Sequence, residues 1–270
     1  MSPAVLITML ALALSQGPLL AQEKDAADPS QPAKPAAKVP LNLDEIYHAF
    51  QSPHKEDHLA ALKLIQKQPG QAPPPLLFFS ARKLFQLGKK EQAVFWLMAG
   101  QLRARYDLAR SPDQTAENMI VLLNMGAAKP IHDYAIEQPD VMIGWLKRLL
   151  DWDALTPYEY DPHWILFHGD RAKDAETGKL ELKPESQWPQ LRLATRKTYD
   201  QSVRDFVALL HKENGKQAVV FLRSLNEKRL VYRQKGQAYE PTDPERQQEA
   251  AALKLLDRDI ASDFGTKPNQ

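Results

Sequence analysis

From Leu41 onward, apolar residues recur at intervals of three and four along nearly the whole chain. That spacing places them on one face of a helix with about 3.6 residues per turn. The segments 43–50 and 90–109 show the pattern clearly. Alternating apolar and polar runs, typical of half-buried strands, are nearly absent. The pattern therefore predicts an all-α protein of about eight or nine helices, arranged as an irregular helical bundle or a short array of helical hairpins.

Some segments depart from the one-sided stripe. Residues 116–125 are apolar almost all round, which predicts a central, enclosed helix. The short runs 165–167 and 180–182 are the candidates for strands, and they belong to a long, irregular, aromatic-rich connection after residue 151. The last helix is expected to begin at 242–245, where Thr-Asp-Pro-Glu combines capping-box spacing with a proline in the first turn.

The N-terminus has the pattern of a secretory signal peptide. Residues 4–14 are uncharged and apolar, and Gly17-Pro18 and a small residue, Ala21, follow them. A helix of that length would span about 16 Å, against the roughly 30 Å of a bilayer core, so no permanent membrane anchor is expected. No Lys or Arg precedes the apolar run, which leaves an uncleaved, buried N-terminal helix as the alternative.

The pattern divides the chain into four parts. Residues 1–21 are predicted to be the signal peptide, cut after Ala21, and 22–40 a disordered leader rich in Pro and Ala. Residues 41–265 are expected to form a single α-helical domain, and 266–270 a disordered tail. The chain has no cysteine, which is consistent with a periplasmic or secreted location.

The charge balance and the absence of known catalytic motifs exclude several classes of function. The 35 Lys and Arg against 34 Asp and Glu leave a net charge of +1, which lacks the cationic excess of a nucleic-acid binder. The sequence contains no phosphate-binding Walker loop, no dinucleotide fingerprint, no Gly-x-Ser-x-Gly elbow and no cysteine nucleophile. No cofactor is therefore expected.

One pair of helices resembles a known repeat. Small and apolar residues between 76 and 106 fall at spacings similar to a tetratricopeptide or Sel1-type unit, namely Ala81, Leu84, Gly88, Ala93, Leu97 and Gly100. The resemblance implies a tightly crossed helical hairpin. It covers about one unit, whereas a stable array needs at least three, so a single hairpin inside a bundle stays open. The strings 102–107 and 160–164 resemble functionally uncharacterised exported bacterial proteins, which implies no activity.

The candidate binding residues concentrate in the irregular segment 151–170 and on the hairpin. They are aromatic, acidic, histidine or arginine residues, namely Trp96, Arg103, Asp153, Tyr158, Tyr160, Asp161, His163, Trp164 and His168. Loops that a rigid scaffold positions and that carry aromatic faces often form binding sites. The alternative is that the same residues anchor a long connection, because aromatic side chains bring large area at little rotamer entropy.

Two further groups of residues carry side chains that could bind an anion or a metal. Arg103, Arg105 and Arg110 do not form one stripe, so pairing with acids such as Asp153 or Asp161 is expected rather than phosphate binding. His54 and His58 are one helical turn apart, but Lys55 occupies the position of the zinc motif's Glu. A solvated helix start is expected there, and no metal site.

Two functions follow as hypotheses. The first is an exported, non-catalytic helical protein that binds another macromolecule, of the adaptor, scaffold or immunity and inhibitor type, with a protein as the expected partner. The alternative is a periplasmic enzyme or binder that acts on the cell wall or a glycan through Asp153, Glu159, Asp161 and His163. No nucleic acid is expected as a partner in either case.

Overall fold

The computed structural model describes residues 40–255. The predicted signal peptide, the predicted leader up to residue 39, the part of the predicted domain beyond residue 255 and the predicted tail lie outside the described residues. Eleven α-helices are described: α1 (Leu43–Gln51), α2 (Lys55–Lys67), α3 (Pro74–Gln86), α4 (Lys90–Arg110), α5 (Glu117–Gly126), α6 (Lys129–Glu137), α7 (Pro139–Leu155), α8 (Ala172–Glu176), α9 (Trp188–Leu210), α10 (Gly215–Gln234) and α11 (Asp243–Leu255). Four 3-10 helices join them, at Pro69–Gln71, Gln114–Ala116, Pro162–His168 and Glu185–Gln187.

The predicted all-α class is confirmed, since residues 40–255 contain helices and no strand. The predicted number of eight or nine helices is too low, because α6 and α8 were not predicted; α8, with five residues, is too short to show a full apolar stripe. The candidate strand 165–167 is wrong, since it lies in a 3-10 helix. Ile165, Leu166 and Leu180 are buried together against Ala116, so side-chain packing, not strand pairing, holds both runs.

The central helix is α4. Fourteen of its 21 residues are buried, and α3, α5, α6, α7 and α9 all pack against it. The prediction that 116–125 is the enclosed helix is therefore wrong. Within α5 only Ile120 and Leu123 are buried, because that helix contacts α4 with one side and leaves its remaining apolar residues half-exposed at the edge.

Helices α3 and α4 form the predicted hairpin. Gly88 adopts a left-handed conformation with φ 78° after α3, which glycine reaches without steric cost. Farther along, Gly100 of α4 lies directly against α3, and a Cβ atom added there would be 2.9 Å from Cδ2 of Phe78. The small residues thus allow the close crossing that their spacing predicts.

The connection between α7 and α9, residues 156–187, is tied to the helices at several points. The amide of Glu159 donates to the carbonyl of Gly70 (2.8 Å), and the amide of Asp170 donates to Oγ1 of Thr115 (2.7 Å). At its far end, Lys183 donates its amide and its ammonium to the last carbonyls of α4. The negative end of the helix dipole also stabilises a cation at this position.

The C-terminal helices add a second, smaller core, which joins α9, α10 and α11. The predicted capping box at the start of α11 is confirmed. The amide of Thr242 donates to Oε2 of Glu245 (2.8 Å), and the amide of Glu245 donates back to Oγ1 of Thr242 (3.4 Å). Among the helices of residues 40–255, none is both long and apolar enough to cross a membrane.

Candidate functional site

An arginine–carboxylate pair occupies the interior between α4 and α7. Nε of Arg103 lies 3.6 Å from Oδ1 of Asp153, and both side chains are fully buried. The guanidinium group also donates to the carbonyls of Pro69 (3.3 Å) and Thr156 (3.2 Å). The predicted pairing of Arg103 with an acid is therefore confirmed for Asp153, and it is wrong for Asp161, which lies on the exposed surface.

The carboxylate of Asp153 is shared by several donors. Arg192 and Arg196, one turn apart on α9, approach Oδ2 at 3.5 and 3.8 Å, and the hydroxyl of Tyr158 donates to Oδ1 (2.6 Å). Arg192 and Arg196 also donate to carbonyls in the last turns of α7, where cations are favoured. A single carboxylate therefore faces three guanidinium groups, and this cluster joins α4, α7 and α9.

A second buried carboxylate, Asp107 of α4, holds the connection. It accepts hydrogen bonds from the indole of Trp164 (2.6 Å) and the hydroxyl of Tyr160 (3.1 Å), and it pairs with Arg110. Burial raises the pKa of Asp107 to about 6, although the charge of Arg110 and the hydrogen bonds from Trp164 and Tyr160 oppose the rise. Asp107 therefore anchors two of the predicted binding residues to the central helix.

The tyrosines that bind the two buried carboxylates, Tyr158 at Asp153 and Tyr160 at Asp107, act as hydrogen-bond donors. The residues around these two carboxylates are together called the buried cluster below. Burial, followed by the charge of Asp153, raises the pKa of Tyr158. Burial, followed by the charge of Asp107, raises the pKa of Tyr160. Both phenols stay protonated across the physiological pH range, so each supplies a stable O–H to its carboxylate.

A shallow depression of about 610 Å³, widely open to solvent and called the cleft below, lies beside this cluster. It is lined by aromatic and apolar residues together with charged ones, namely Tyr106, Trp188, Pro189 and Leu193, and Glu185, Arg192 and Arg196. Tyr106 is buried and donates to the carbonyl of Trp188 (3.3 Å), whereas Leu193 is 70% exposed. The arginine side chains remain 28% and 25% exposed, so both can reach a ligand in the cleft.

The local sequence explains how the cleft forms. Pro189 stands in the first turn of α9, where its missing N–H is tolerated. The indole of Trp188 donates to the carbonyl of Lys183 (2.8 Å), and that residue is itself bound to the end of α4. The start of α9 is thus fixed against the central helix, and the cleft lies along that junction.

The buried cluster lies directly beneath the cleft. The ring of Tyr158 packs edge-on against Tyr106 with 5.0 Å between ring centroids. The guanidinium of Arg192 lies over Tyr158 at 4.7 Å, and that of Arg110 over Trp188 at 4.6 Å. These cation–π and aromatic contacts restrict the side chains that form the wall and floor of the cleft.

Several predicted binding residues point inward. Trp96 is buried, and its ring packs against Phe95 and Trp152. Arg103 and Asp153 are fully buried. None of these three side chains is therefore accessible to a binding partner. The physical reason is that Asp153 pairs with Arg103 and accepts from Tyr158, while Arg103 donates to nearby carbonyls, which reduces the cost of burying the two charges.

The remaining predicted residues are only partly brought together. Tyr158, Tyr160 and Trp164 are half-buried and join the cluster through the contacts above. Asp161 is exposed and accepts from the amide (2.9 Å) and the ring (2.6 Å) of His163; although burial opposes it, this bonding lowers the pKa of Asp161. His168 packs on the ring of Trp164, and burial lowers its pKa. Asp153 and Asp161 therefore do not face a common space as a catalytic pair.

The sequence reading missed the residues of α9 that form the cleft. Leu193 lies off the apolar stripe of that helix, and Arg192 and Arg196 stand one turn apart around it. The available signal was that Arg192 and Arg196 continue the buried stripe of Tyr199 and Val203 at spacings of three and four, with Leu193 beside it. Leu193 and Tyr106 line the same cleft although they are more than eighty residues apart, and no local sequence pattern indicates this proximity.

The histidine pair of α2 serves the local structure. Nε2 of His58 donates to the carbonyl of Ser52 (2.8 Å), and His54 is exposed at the start of the helix. Within residues 40–255, no three His, Cys, Asp or Glu side chains are grouped so that they could hold a metal ion.

Comparisons of the chain with protein-family models, with curated proteins and with solved structures found no match. The resemblance to tetratricopeptide and Sel1 units is therefore carried by the residues between 76 and 106 alone.

Proposed function

We propose that this chain is an exported, non-catalytic binding protein, of the adaptor, scaffold or immunity and inhibitor type, which holds a segment of a partner protein in the cleft at the start of α9. The observation that carries the proposal is Leu193. It is 70% exposed and borders a shallow, open depression that Trp188 and two arginines also line. Single exposed leucines are common, but aromatic, arginine and apolar groups together on one surface are typical of protein interfaces.

The buried cluster supports this function by keeping the cleft in one shape. Tyr158 supports Tyr106 and Arg192 from beneath, and Asp153 fixes the two arginines from the side. A surface whose side chains are already ordered loses less conformational entropy when a partner binds. The aromatic connection thus serves the interface from the interior, while α9 contacts the partner.

An irregular helical bundle is sufficient for this function. The helices surround α4, and the hairpin of α3 and α4 lies at the centre of this arrangement. A binding cleft on one side of such a bundle needs no stacked array of hairpins. The glycan-active alternative is less favoured, because Asp153 is enclosed by donors and Asp161 is engaged by His163.

Site-specific photo-crosslinking tests the proposal. A benzophenone amino acid is placed at position 193 or, as a matched control, at Leu64, an exposed leucine of α2 that does not line the cleft. Each protein is irradiated in an extract of the cells that produce it. We expect one protein to crosslink from position 193 and not from position 64.

The crosslinked protein is then purified, and its affinity is measured for Leu193→Glu and Leu64→Glu. We expect at least a tenfold loss for the first variant, about 1.4 kcal/mol, and no change for the second. Equal crosslinking from both positions, or an unchanged affinity of Leu193→Glu, would overturn the proposal.

A further inference from the structure

We infer that the segment bound in the cleft is acidic, with an aspartate or glutamate placed close to an aliphatic or aromatic side chain. This inference rests on the proposed function and specifies the chemistry of its partner. It follows from the charge balance around the cleft, from the donors that the arginines retain, and from the position of the apolar wall.

The cluster and the cleft carry more cationic than anionic groups. Four arginines, at positions 103, 110, 192 and 196, are accompanied by the carboxylates of Asp107, Asp153 and Glu185. Arg103 with Asp153 and Arg110 with Asp107 are buried pairs, so all four act on the cleft only from below. The charged groups that line the cleft itself are Arg192, Arg196 and Glu185. Burial also raises the pKa of Asp107 to about 6, which further reduces the negative charge in mildly acidic solution. The cleft is thus complementary to an anionic group.

The two arginines that line the cleft retain hydrogen-bonding capacity. Arg192 donates to the carbonyl of Asp153 and Arg196 to the carbonyl of Leu150, while their distances to Oδ2 of Asp153, 3.5 and 3.8 Å, are long for hydrogen bonds. A guanidinium group has five N–H donors. A carboxylate that enters the cleft can therefore take up unused donors of both side chains.

The apolar wall specifies the neighbour of that carboxylate. Leu193 follows Arg192 directly on α9, and Pro189 and Trp188 lie about one turn before it. A side chain that covers Leu193 therefore lies within one helical turn of both guanidinium groups. This places the acidic and the apolar residue of the partner within a few positions of each other.

The test begins with a phage-displayed library of random dodecapeptides, selected on the full chain and counter-selected on Leu193→Glu. We expect the enriched peptides to carry Asp or Glu within four residues of Leu, Ile, Phe or Trp. The strongest peptide is then synthesised with its acidic residues and with the matching amides, and both forms are measured by fluorescence anisotropy. The amide form should bind about tenfold more weakly, the effect of losing one charged hydrogen bond.

Two variants that change the charge of the cleft should shift the affinity for the acidic peptide in opposite directions. Arg196→Gln should weaken the acidic peptide about fivefold or more and leave the amide form nearly unchanged. Glu185→Gln removes a carboxylate from the cleft, so it should strengthen the acidic peptide about two- to threefold. Circular dichroism and thermal unfolding verify that both variants fold.

The outcomes separate this inference from the proposed function. If enriched peptides require Leu193 but acidic and amide forms bind equally, the acidic segment is wrong and the protein-binding cleft stands. If no peptide is enriched over Leu193→Glu, both are overturned. Retention on an acidic polysaccharide matrix that is lost in Leu193→Glu, without any peptide binding, would contradict the protein partner in favour of a glycan.

Discussion

Arg103 of α4 and Asp153 of α7 form an ion pair from which solvent is fully excluded, with 3.6 Å between Nε and Oδ1. Removing two charges from water is costly, so a buried ion pair is stable only where further groups form hydrogen bonds with it. Here the rings of Trp152 and Tyr158 lie against the guanidinium, and the carbonyls of Pro69 and Thr156 accept two of its protons. The pair therefore fixes how α7 sits on the central helix.

Removing the charge of Asp153 is expected to destabilise the protein strongly. Asp153→Asn leaves three guanidinium groups without their shared carboxylate, and one of them, Arg103, is fully buried. Breaking a buried pair by removing one partner costs about 3–5 kcal/mol. Urea unfolding followed by circular dichroism measures the free energy of unfolding.

The same helix offers a matched control. Asp151→Asn makes the same chemical change two residues earlier, in an exposed pair with Lys147. Exposed pairs of this spacing contribute about 0.3–0.5 kcal/mol. If both variants lose similar stability, the buried pair does not have the structural role assigned to it.

The protonation of Asp107 should make part of the stability depend on pH. Its pKa is raised from 3.8 to about 6 in the folded protein, so between these values the folded state binds more protons than the unfolded state. This contribution is fully present below about pH 3.8 and is lost as pH rises through about 6. Two pKa units correspond to about 3 kcal/mol.

Carbon NMR of labelled aspartate carboxyls gives the pKa of Asp107 directly. We expect a midpoint near 6 for Asp107. The difference in stability between the wild type and Asp107→Asn should fall between pH 4 and 7. A pH-independent difference, together with an NMR midpoint below 4, would contradict the prediction.

Two glycines of the helices are expected to respond oppositely to the same substitution. Gly100→Ala places a Cβ atom 2.9 Å from Phe78 at the crossing of α3 and α4, whereas a Cβ at the exposed Gly144 of α7 meets open space. The first should cost about 1–3 kcal/mol through overpacking, and the second should add up to about 1 kcal/mol of helix propensity.

Thermal unfolding of both variants measures these changes. A midpoint raised by Gly144→Ala and lowered by Gly100→Ala supports the close crossing of the hairpin. If Gly100→Ala proved as stable as Gly144→Ala, the two helices would not approach each other as closely as the structure has them.

The local features of this chain were readable from sequence. Helical periodicity identified nine of the helices, and the spacing of Thr242 and Glu245 identified the start of α11. The chemistry of guanidinium and carboxylate groups placed Asp153 among the candidate acids for Arg103, Arg105 and Arg110, and the structure pairs it with Arg103. Each of these signals depends on residues a few positions apart or on the general need to pair a charge.

Other features required the tertiary structure. The amphipathic stripes did not reveal that α4, and not α5, is the enclosed helix, because burial depends on which neighbours surround a helix. Nor did residue types reveal that Tyr160 and Trp164 turn inward, because that depends on Asp107, more than fifty residues earlier, being buried and in need of donors.

The sequence by itself determined that this protein is helical, where most helices lie, and which segment concentrates aromatic and charged residues, since these follow from periodicity and composition. Only the tertiary structure decided that this segment packs beneath a cleft instead of forming it. The cleft brings Tyr106 next to Trp188 and Leu193, residues more than eighty positions apart. Such a contact follows from the packing of whole helices around α4, which no local pattern encodes.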